Sequence, residues 1–426
     1  MALSLDERSR RVVTPALPKY GTTEVVRGQG VFLYDSDGKK YLDFSAGIGV
    51  LNTGHRHPKV VQAAKAQIDQ LIHACAHVSW YPKYVELAER IADIIPDLGM
   101  VYFSNSGTEA VEAAMKLARY VTQRSAIVAF QGSFHGRTLG AASLTGKSIL
   151  RRRYEPLIPA VYHVPYPWCF RCSYGQKRES CHLECYQALE TLLDTLVHPD
   201  DLAAVVIEPI LGEGGYYIAP DEFLQKVRVL TSEHNCMLIV DEVQSGMGRT
   251  GKMFAWQHIE GFIPDAMTLA KALGSGFPIG AVVARPELMK KWEKGAHGST
   301  FGGNPVSCAA ALATFDILEK ENLLTNATNI GDTLLEKMRG LKSTVPEIGD
   351  VRGRGLMLAM ELTHVDGTPN PVLAKRIIEE TEALGLILIG GGFLGNVVRL
   401  IPPLTINQEQ AEEGFAILLK ALQRTI

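Results

Sequence analysis

Met237-Leu238-Ile239-Val240-Asp241-Glu242-Val243-Gln244, residues 237–244, is the stretch that decides the architecture. Four apolar residues without alternation, closed by a carboxylate, read as a short strand buried on both faces and ending at a polar edge. Runs of the same kind recur at Ala126–Phe130, Leu202–Ile207, Ala266–Leu269 and Gly280–Ala284, with Val101-Tyr102-Phe103 ahead of them. Helical patterns fall between: an Ala-rich amphipathic one over 108–120 and another over 221–234. Buried strands alternating with helices predict an α/β body, a mainly parallel central sheet with helices on both faces.

Outward from that body, the first fifty residues read as an irregular arm. Strands at 30–34 and 40–44 flank the turn Asp35-Ser36-Asp37-Gly38. After Asn304-Pro305, a long helix over 306–320 leads into a smaller α+β C-terminal part. That part has helices near 329–341 and 372–384, strands near 355–362 and 397–401, and a last helix over 408–424. The expected division is an arm, 1–52, contributing to the small domain, a large domain, 53–315, and a small C-terminal domain, 316–426.

The 426 residues are 46% hydrophobic and 21% charged, as in an ordinary globular enzyme. A net charge of -3 argues against a general nucleic-acid binder. No apolar run reaches membrane-spanning length, and residues 1–11 lack the apolar centre of a secretory signal, so a cytoplasmic protein is expected. Seven cysteines, four of them at Cys169, Cys172, Cys181 and Cys185, do not have the spacing of a disulfide scaffold.

Ligands of open parallel sheets collect at the carboxyl ends of the strands. Those ends carry Ser104-Asn105-Ser106-Gly107-Thr108, Gly132-Ser133-Phe134-His135, Glu208-Pro209, Asp241 to Gln244, and Ala270-Lys271. Ser106, Gly107 and Thr108 open a helix, where backbone N–H groups and hydroxyls suit a phosphate; a plain helix cap is the simpler alternative. Asp241 could keep a pyridinium nitrogen protonated, or merely cap a turn. Lys271 could be a desolvated Schiff-base amine, or a solvated surface lysine. Phosphate turn, acid and amine at one edge of one sheet outweigh each alternative taken singly.

These residues, with Gly47-Ile48-Gly49-Val50-Leu51-Asn52-Thr53-Gly54-His55-Arg56-His57-Pro58, Phe134-His135-Gly136-Arg137-Thr138, Asp241 through Gly251 and Ser299-Thr300-Phe301-Gly302-Gly303-Asn304-Pro305, resemble the class III pyridoxal-phosphate aminotransferases of fold type I. The resemblance covers nearly the whole chain, and it is closest to the 4-aminobutyrate enzymes. It implies pyridoxal 5'-phosphate held by Lys271, which also moves the substrate proton. It implies Asp241 at the pyridine nitrogen, Gln244 by the phenolic oxygen, and Phe134 and Val243 on the two ring faces. His135 belongs to the same cofactor-binding set, and Ser106, Gly107 and Thr108 are expected at the phosphate. Thr300 resembles the residue that reaches the phosphate in a neighbouring subunit, so a homodimer or higher assembly with shared active sites is implied.

The same resemblance implies an amino donor and a 2-oxo acid acceptor using one pocket in turn. Arg137 resembles the arginine for a distal carboxylate, Arg399 the one for an α-carboxylate, and Glu213 the acid that covers Arg399. Each could instead be an ordinary charged surface residue. Ile48 stands where ornithine-type enzymes place a tyrosine for the substrate's α-amino group, which favours an amine lacking that group, such as 4-aminobutyrate. His77 departs from the amide of bacterial 4-aminobutyrate enzymes, and packing is its simpler role.

Three motifs point elsewhere. Gly246-Met247-Gly248-Arg249-Thr250-Gly251 matches a dinucleotide fingerprint, but Gly261 and Pro264 deny it the helix it needs. Gly251-Lys252-Met253 lacks the hydroxyl of a Walker motif. The four clustered cysteines could bind a soft metal, pair, or stay free; the expected chemistry needs no metal. Transamination of 4-aminobutyrate with 2-oxoglutarate is the leading expectation. An amino-acid racemase or isomerase, or an aminotransferase for acetylornithine, ornithine or β-alanine, is the alternative, with a non-catalytic module behind them.

Overall fold

Three sheets organise the chain in a computed structural model describing residues 4–19 and 21–426; Met1 to Leu3 and Tyr20 of the expected arm lie outside the described residues. The arm supplies β1 (Val25–Gln29), β2 (Phe32–Asp35) and β3 (Lys40–Asp43). The large sheet holds β4 (Met100–Ser104), β5 (Ala126–Phe130), β6 (Val161–Val164), β7 (Leu202–Ile207), β8 (Met237–Asp241), β9 (Ala266–Leu269) and β10 (Gly280–Ala284). The C-terminal part supplies β11 (Ile348–Arg354), β12 (Met357–Leu362), β13 (Leu386–Ile387), β14 (Ile389–Gly391) and β15 (Val397–Leu400).

The large sheet runs β4-β10-β9-β8-β7-β5-β6. β5, β6, β7, β8 and β9 pair in parallel, while β10 is antiparallel to both neighbours. Alternate residues of one strand feed different cores: Ile127, Ala129, Val206 and Ile239 face one, and Val128, Phe130, Val205 and Val240 the other. That is the two-residue period of a sheet covered on both sides. Each of the Val, Ile and Phe side chains among them stabilises the fold by about 1.5–3 kcal/mol on burial, so the strands are fixed supports and polar chemistry is left to their ends.

The helix Gly107–Thr122 buries Val111 and Leu117 together with Ala110, Ala113, Ala114 and Ala118, and the four alanines let it lie close against the sheet. β11, β12, β15 and β14 form an antiparallel sheet, whereas β13 pairs in parallel with β3 and so extends the sheet begun by the arm. Helices Leu323–Leu341, Pro371–Ala383 and Gln408–Thr425 accompany these strands. Among the described residues, no helix is long and apolar enough to cross a membrane.

Two details differ from the sequence expectation. The helix expected near 329–341 begins at Leu323, behind a left-handed Asn322 with φ 51°. β11 gave no apolar signal, because its Asp350, Arg352 and Gly353 serve an edge strand. The Gly246–Gly251 turn is followed only by a short 3-10 segment, Ala255–His258, so it opens no helix. All seven cysteines are free thiols. Cys169, Cys172, Cys181 and Cys185 line one small cavity, but among the described residues no three His, Cys, Asp or Glu side chains are grouped to hold a metal ion.

Candidate active site

The carboxyl ends of β4, β5, β7, β8 and β9 surround a cavity of about 430 Å³. Its wall includes Gly107, Phe134, Asp241, Val243, Gln244 and Lys271, contributed by four separate strand ends. Ser106, Thr108, His135, Arg137 and Glu213 line it as well. One sheet edge therefore gathers most of the residues singled out in the sequence.

Asp241 is held on both sides. Its Oδ2 lies 2.7 Å from Nδ1 of the buried His135, and its Oδ1 accepts the Val243 N–H at 3.0 Å. Burial opposes a charged imidazole at His135, but the Asp241 carboxylate outweighs it and leaves the pKa above its ordinary value. Glu208, at the end of β7, accepts N–H bonds from Phe134 at 2.9 Å and Gly212 at 2.8 Å. Burial pushes its carboxyl upward, with His135 pulling the other way and Asp241 adding to the rise. Glu208 was among the strand-end residues in the sequence, yet nothing there assigned it this backbone-fixing position.

Lys271 follows β9 directly, with a left-handed backbone at φ 44° that turns its side chain into the cavity. The protein packed around its ammonium pulls the pKa down to about 8, against the attraction of Asp241. An amine whose charge is destabilised in this way sheds its proton more readily than an exposed lysine and so becomes a usable nucleophile and base. The helix Gly107–Thr122 points its N-terminus at the same space, capped by Ser106, whose Oγ accepts the Glu109 N–H at 3.3 Å. A Cβ at Gly107 would stand 2.9 Å from Val243 Cγ1, so only glycine fits between this turn and the β8 end.

Two arginines lie at or behind the cavity wall. Arg137 is exposed, its guanidinium 5.8 Å from the Phe134 ring centre. Arg399, on β15, is only 3% exposed and lies behind Glu213 rather than on the wall. Arg399 Nη2 meets Glu213 Oε2 at 2.8 Å, Nη1 donates to the Gly212 carbonyl at 3.0 Å, and Nε to the Gly390 carbonyl at 3.1 Å. Burial pushes the Glu213 carboxyl up, but Arg399 and Lys147 together hold it below its ordinary value. Lys147 is a residue that sequence reasoning missed. Its only sequence neighbours in the site are distant, and the run Thr145-Gly146-Lys147 has no signature of its own.

Like Arg399, the singled-out Ile48, Thr300 and His77 lie off the wall. Ile48 is 41% exposed at the mouth, and Val50 lines the cavity beside it. Residues 46–49 all have positive φ, with Ile48 at 67°, a strained backbone for a β-branched side chain. Thr300 is exposed in the 298–303 loop. His77 Nε2 accepts the Ser299 N–H at 3.2 Å, so His77 braces that loop.

The family profile described as Aminotransferase class-III matches residues 18–422. The chain is 39% identical over 403 residues to the probable 4-aminobutyrate aminotransferase of Bacillus subtilis (strain 168), spanning 93% of this chain and 92% of that one. It is 36% identical over 445 residues to the alanine/serine racemase of Pyrococcus horikoshii, spanning 100% and 91%. Among solved structures, an amine transaminase from an uncultivated Pseudomonas species in its PLP-bound form superposes with a TM-score of 0.91 at 30% identity, covering 97% of each chain.

Proposed function

The chain belongs to the class III aminotransferases, which are pyridoxal-phosphate-dependent transferases, and from that premise we propose that it transfers the amino group of an ω-amino acid, foremost 4-aminobutyrate, to 2-oxoglutarate. The observation that carries the reading is the pair of arginines at the cavity: Arg137 open to solvent, Arg399 closed by Glu213.

The residues present fit pyridoxal phosphate. Among the described residues, the buried Gln244 Oε1 end of the amide has no hydrogen-bond partner and is free for a ligand atom. Gly107 leaves a cradle that a Cβ would fill, and Lys271 has its charge destabilised by burial. Lys271 would hold the cofactor through its amine, Asp241 would face the ring nitrogen, and Phe134 and Val243 would face the ring. Ser106, Gly107 and Thr108 would receive the phosphate. When bound, the cofactor supplies an electron-poor ring that accepts the electron pair left when a substrate C–H proton departs.

The chain's own part is positioning and proton transfer. His135, pinned to Asp241 at 2.7 Å, keeps that carboxylate aimed. Lys271 Nζ, neutral once its proton is shed near pH 8, accepts the substrate proton and returns it. Arg137 binds the distal carboxylate of the ω-amino acid, while Glu213 keeps Arg399 from attracting it wrongly. For an α-amino dicarboxylate, Glu213 must leave Arg399 to the α-carboxylate. Removing one partner of a buried pair ordinarily costs about 3–5 kcal/mol, so an incoming carboxylate has to replace Glu213 rather than merely displace it.

Ile48, at the mouth, gives no polar partner for an α-amino group, which favours 4-aminobutyrate over ornithine; acetylornithine and β-alanine are the other ω-amines to be compared. We take the working unit to be a homodimer with shared sites. That is supported by an exposed Thr300 off its own cavity wall and by the exposed Trp80 and Phe301, at 75% and 60%. The domain division 1–52, 53–315 and 316–426 is proposed on the same footing.

A screen of amine donors with 2-oxoglutarate and pyruvate tests the substrate. The expected result is strong 4-aminobutyrate use; robust α-amine use without it overturns the donor assignment. The second reading, racemisation, is favoured by the Pyrococcus horikoshii relative. Chiral analysis of single amino acids incubated without any keto acid separates the two, because racemisation needs no acceptor.

A further inference from the structure

Glu213 divides its two oxygens between two cations. Oε2 meets Arg399 Nη2 at 2.8 Å, and Oε1 meets Lys147 Nζ at 3.3 Å. Lys147 is only 9% exposed, and its ammonium also donates to the Gly392 carbonyl at 3.1 Å. Gly392 in turn donates its N–H to the Glu213 carbonyl at 2.9 Å, in the loop that joins β14 to β15 and hence to Arg399. Lys147 itself is anchored beside the strand end that carries Phe134 and His135. Its neighbour Gly146 donates to the Ser133 carbonyl and accepts from the Gly132 N–H, each at 3.0 Å.

We propose that Lys147 is the receiving cation of the carboxylate switch, the group that holds Glu213 when Arg399 is given over to a substrate's α-carboxylate. The inference rests on the reading of Glu213 as the cover of Arg399. A carboxylate pushed off its arginine inside the protein is an uncompensated charge unless another cation takes it. Lys147 already holds the second oxygen, so Glu213 can give up Arg399 and remain ionised and paired. The two ends of the exchange are therefore both charge-balanced, and Lys147 sets the difference in free energy between them. A lysine suits the task because its compact charge rides on a flexible stem and follows a moving carboxylate. Lys147 is thus a positioning residue for acceptor specificity and touches no reacting atom.

The test uses the holoenzyme in separate single-turnover half-reactions, one with the preferred ω-amino donor and one with L-glutamate. With Lys147→Met, Glu213 has only Arg399 left, so the closed state is favoured. The expected result is a glutamate KM raised about tenfold, roughly 1.4 kcal/mol, with the ω-amino half-reaction changed less than threefold. Lys147→Arg restores the glutamate KM to within threefold. If Lys147→Met fails to fold, Lys147→Gln keeps a donor for the Gly392 carbonyl without the charge and is expected to give the same split. Glu213→Gln is the control for the underlying reading, and it is expected to split the other way, impairing the ω-amino half-reaction and sparing glutamate. Equal loss in both half-reactions, or loss in neither, for both uncharged Lys147 variants overturns the inference. If Glu213→Gln still splits as expected, only the role of Lys147 falls. If Glu213→Gln shows no split, the switch itself falls, and Lys147 with it.

Discussion

At the wall that carries Lys271, Asp241 is tied to a buried histidine and to a backbone N–H, and the Glu208 beside it accepts two N–H bonds. Elsewhere at the cavity, Glu213 shares its oxygens between Arg399 and Lys147, and Arg137 stands in solvent. One carboxylate is held by partners that do not leave; the other has two cations and can trade between them. Rigid placement suits a ligand that stays bound through every turnover, while exchangeable pairing suits a site that must accept two differently charged substrates in turn. The contrast is between carboxylates of equal charge, and it comes from their partners.

The sharpest blow to the fixed side is Lys271→Ala. The expected result is a fall in kcat of roughly 10³-fold or more, together with loss of borohydride attachment of cofactor to the chain. Retained attachment would place the amine elsewhere. Asp241→Asn should follow, with roughly a 10²-fold loss of kcat and little change in KM for the donor, measured by steady-state kinetics. If the loss appeared in KM alone, the fixed wall would be a binding surface and the contrast would dissolve.

On the exchangeable side, Arg137→Met should raise the KM for an ω-amino acid by an amount equivalent to about 1.5–3 kcal/mol, the worth of a charged hydrogen bond. A simple primary amine without a carboxylate should be used as well by the variant as by the parent. The pH dependence of cofactor capture sharpens the fixed side further. Below about 8 the Lys271 amine is mostly protonated, so the rate at which cofactor-free protein takes up pyridoxal phosphate should climb about tenfold per pH unit and level off above 8. Stopped-flow absorbance reads it, and a flat profile across pH 6.5–9 would falsify the depressed amine.

The smallest effect concerns the mouth. Ile48 occupies a left-handed backbone at φ 67°, which disfavours a β-branched residue by about 1–2 kcal/mol. Asparagine tolerates that conformation, so Ile48→Asn should stabilise the chain by about 1 kcal/mol, read as a higher urea midpoint with unchanged slope. Its preference should move toward donors with an α-amino group.

The fixed wall was legible in the sequence, and the exchangeable one only in part. Ala126–Phe130, Leu202–Ile207, Ala266–Leu269 and Gly280–Ala284 form strands over those same bounds, because a strand buried on both faces has no polar residue to blur its ends. The polar residues that line the cavity then follow at or just past the strand ends, as at Asp241 and Lys271. His57, just before Pro58, caps the helix Pro58–Gln70 by accepting the Lys59 N–H at 3.3 Å. The direction of β10 was not legible, since five small apolar residues read alike either way. Lys147 was invisible for a different reason: Glu213 and Gly392 lie 66 and 245 residues away, and nothing local marks a lysine for such partners. β11 was missed because an edge strand is free to be polar.

Arg249, inside the glycine-rich turn, bears on what could be exchanged between relatives. It is fully buried and, among the described residues, bonds no carboxylate; its guanidinium donates to the Leu356 carbonyl at 3.0 Å, to the Pro402 carbonyl at 2.5 Å, and to Asn52 Oδ1. Burial without a counter-charge pulls its pKa down to about 9. A single side chain thus fastens the segment after Asp241 to the arm and to the segment just beyond Arg399. A chimera that swaps only the arm or only the C-terminal strands must bring carbonyl and amide acceptors to the same three points, or it leaves a cation stranded in the interior. An exposed position such as Ile48 can consequently be exchanged between relatives singly, whereas the arm and the C-terminal strands move only with the acceptors that hold Arg249.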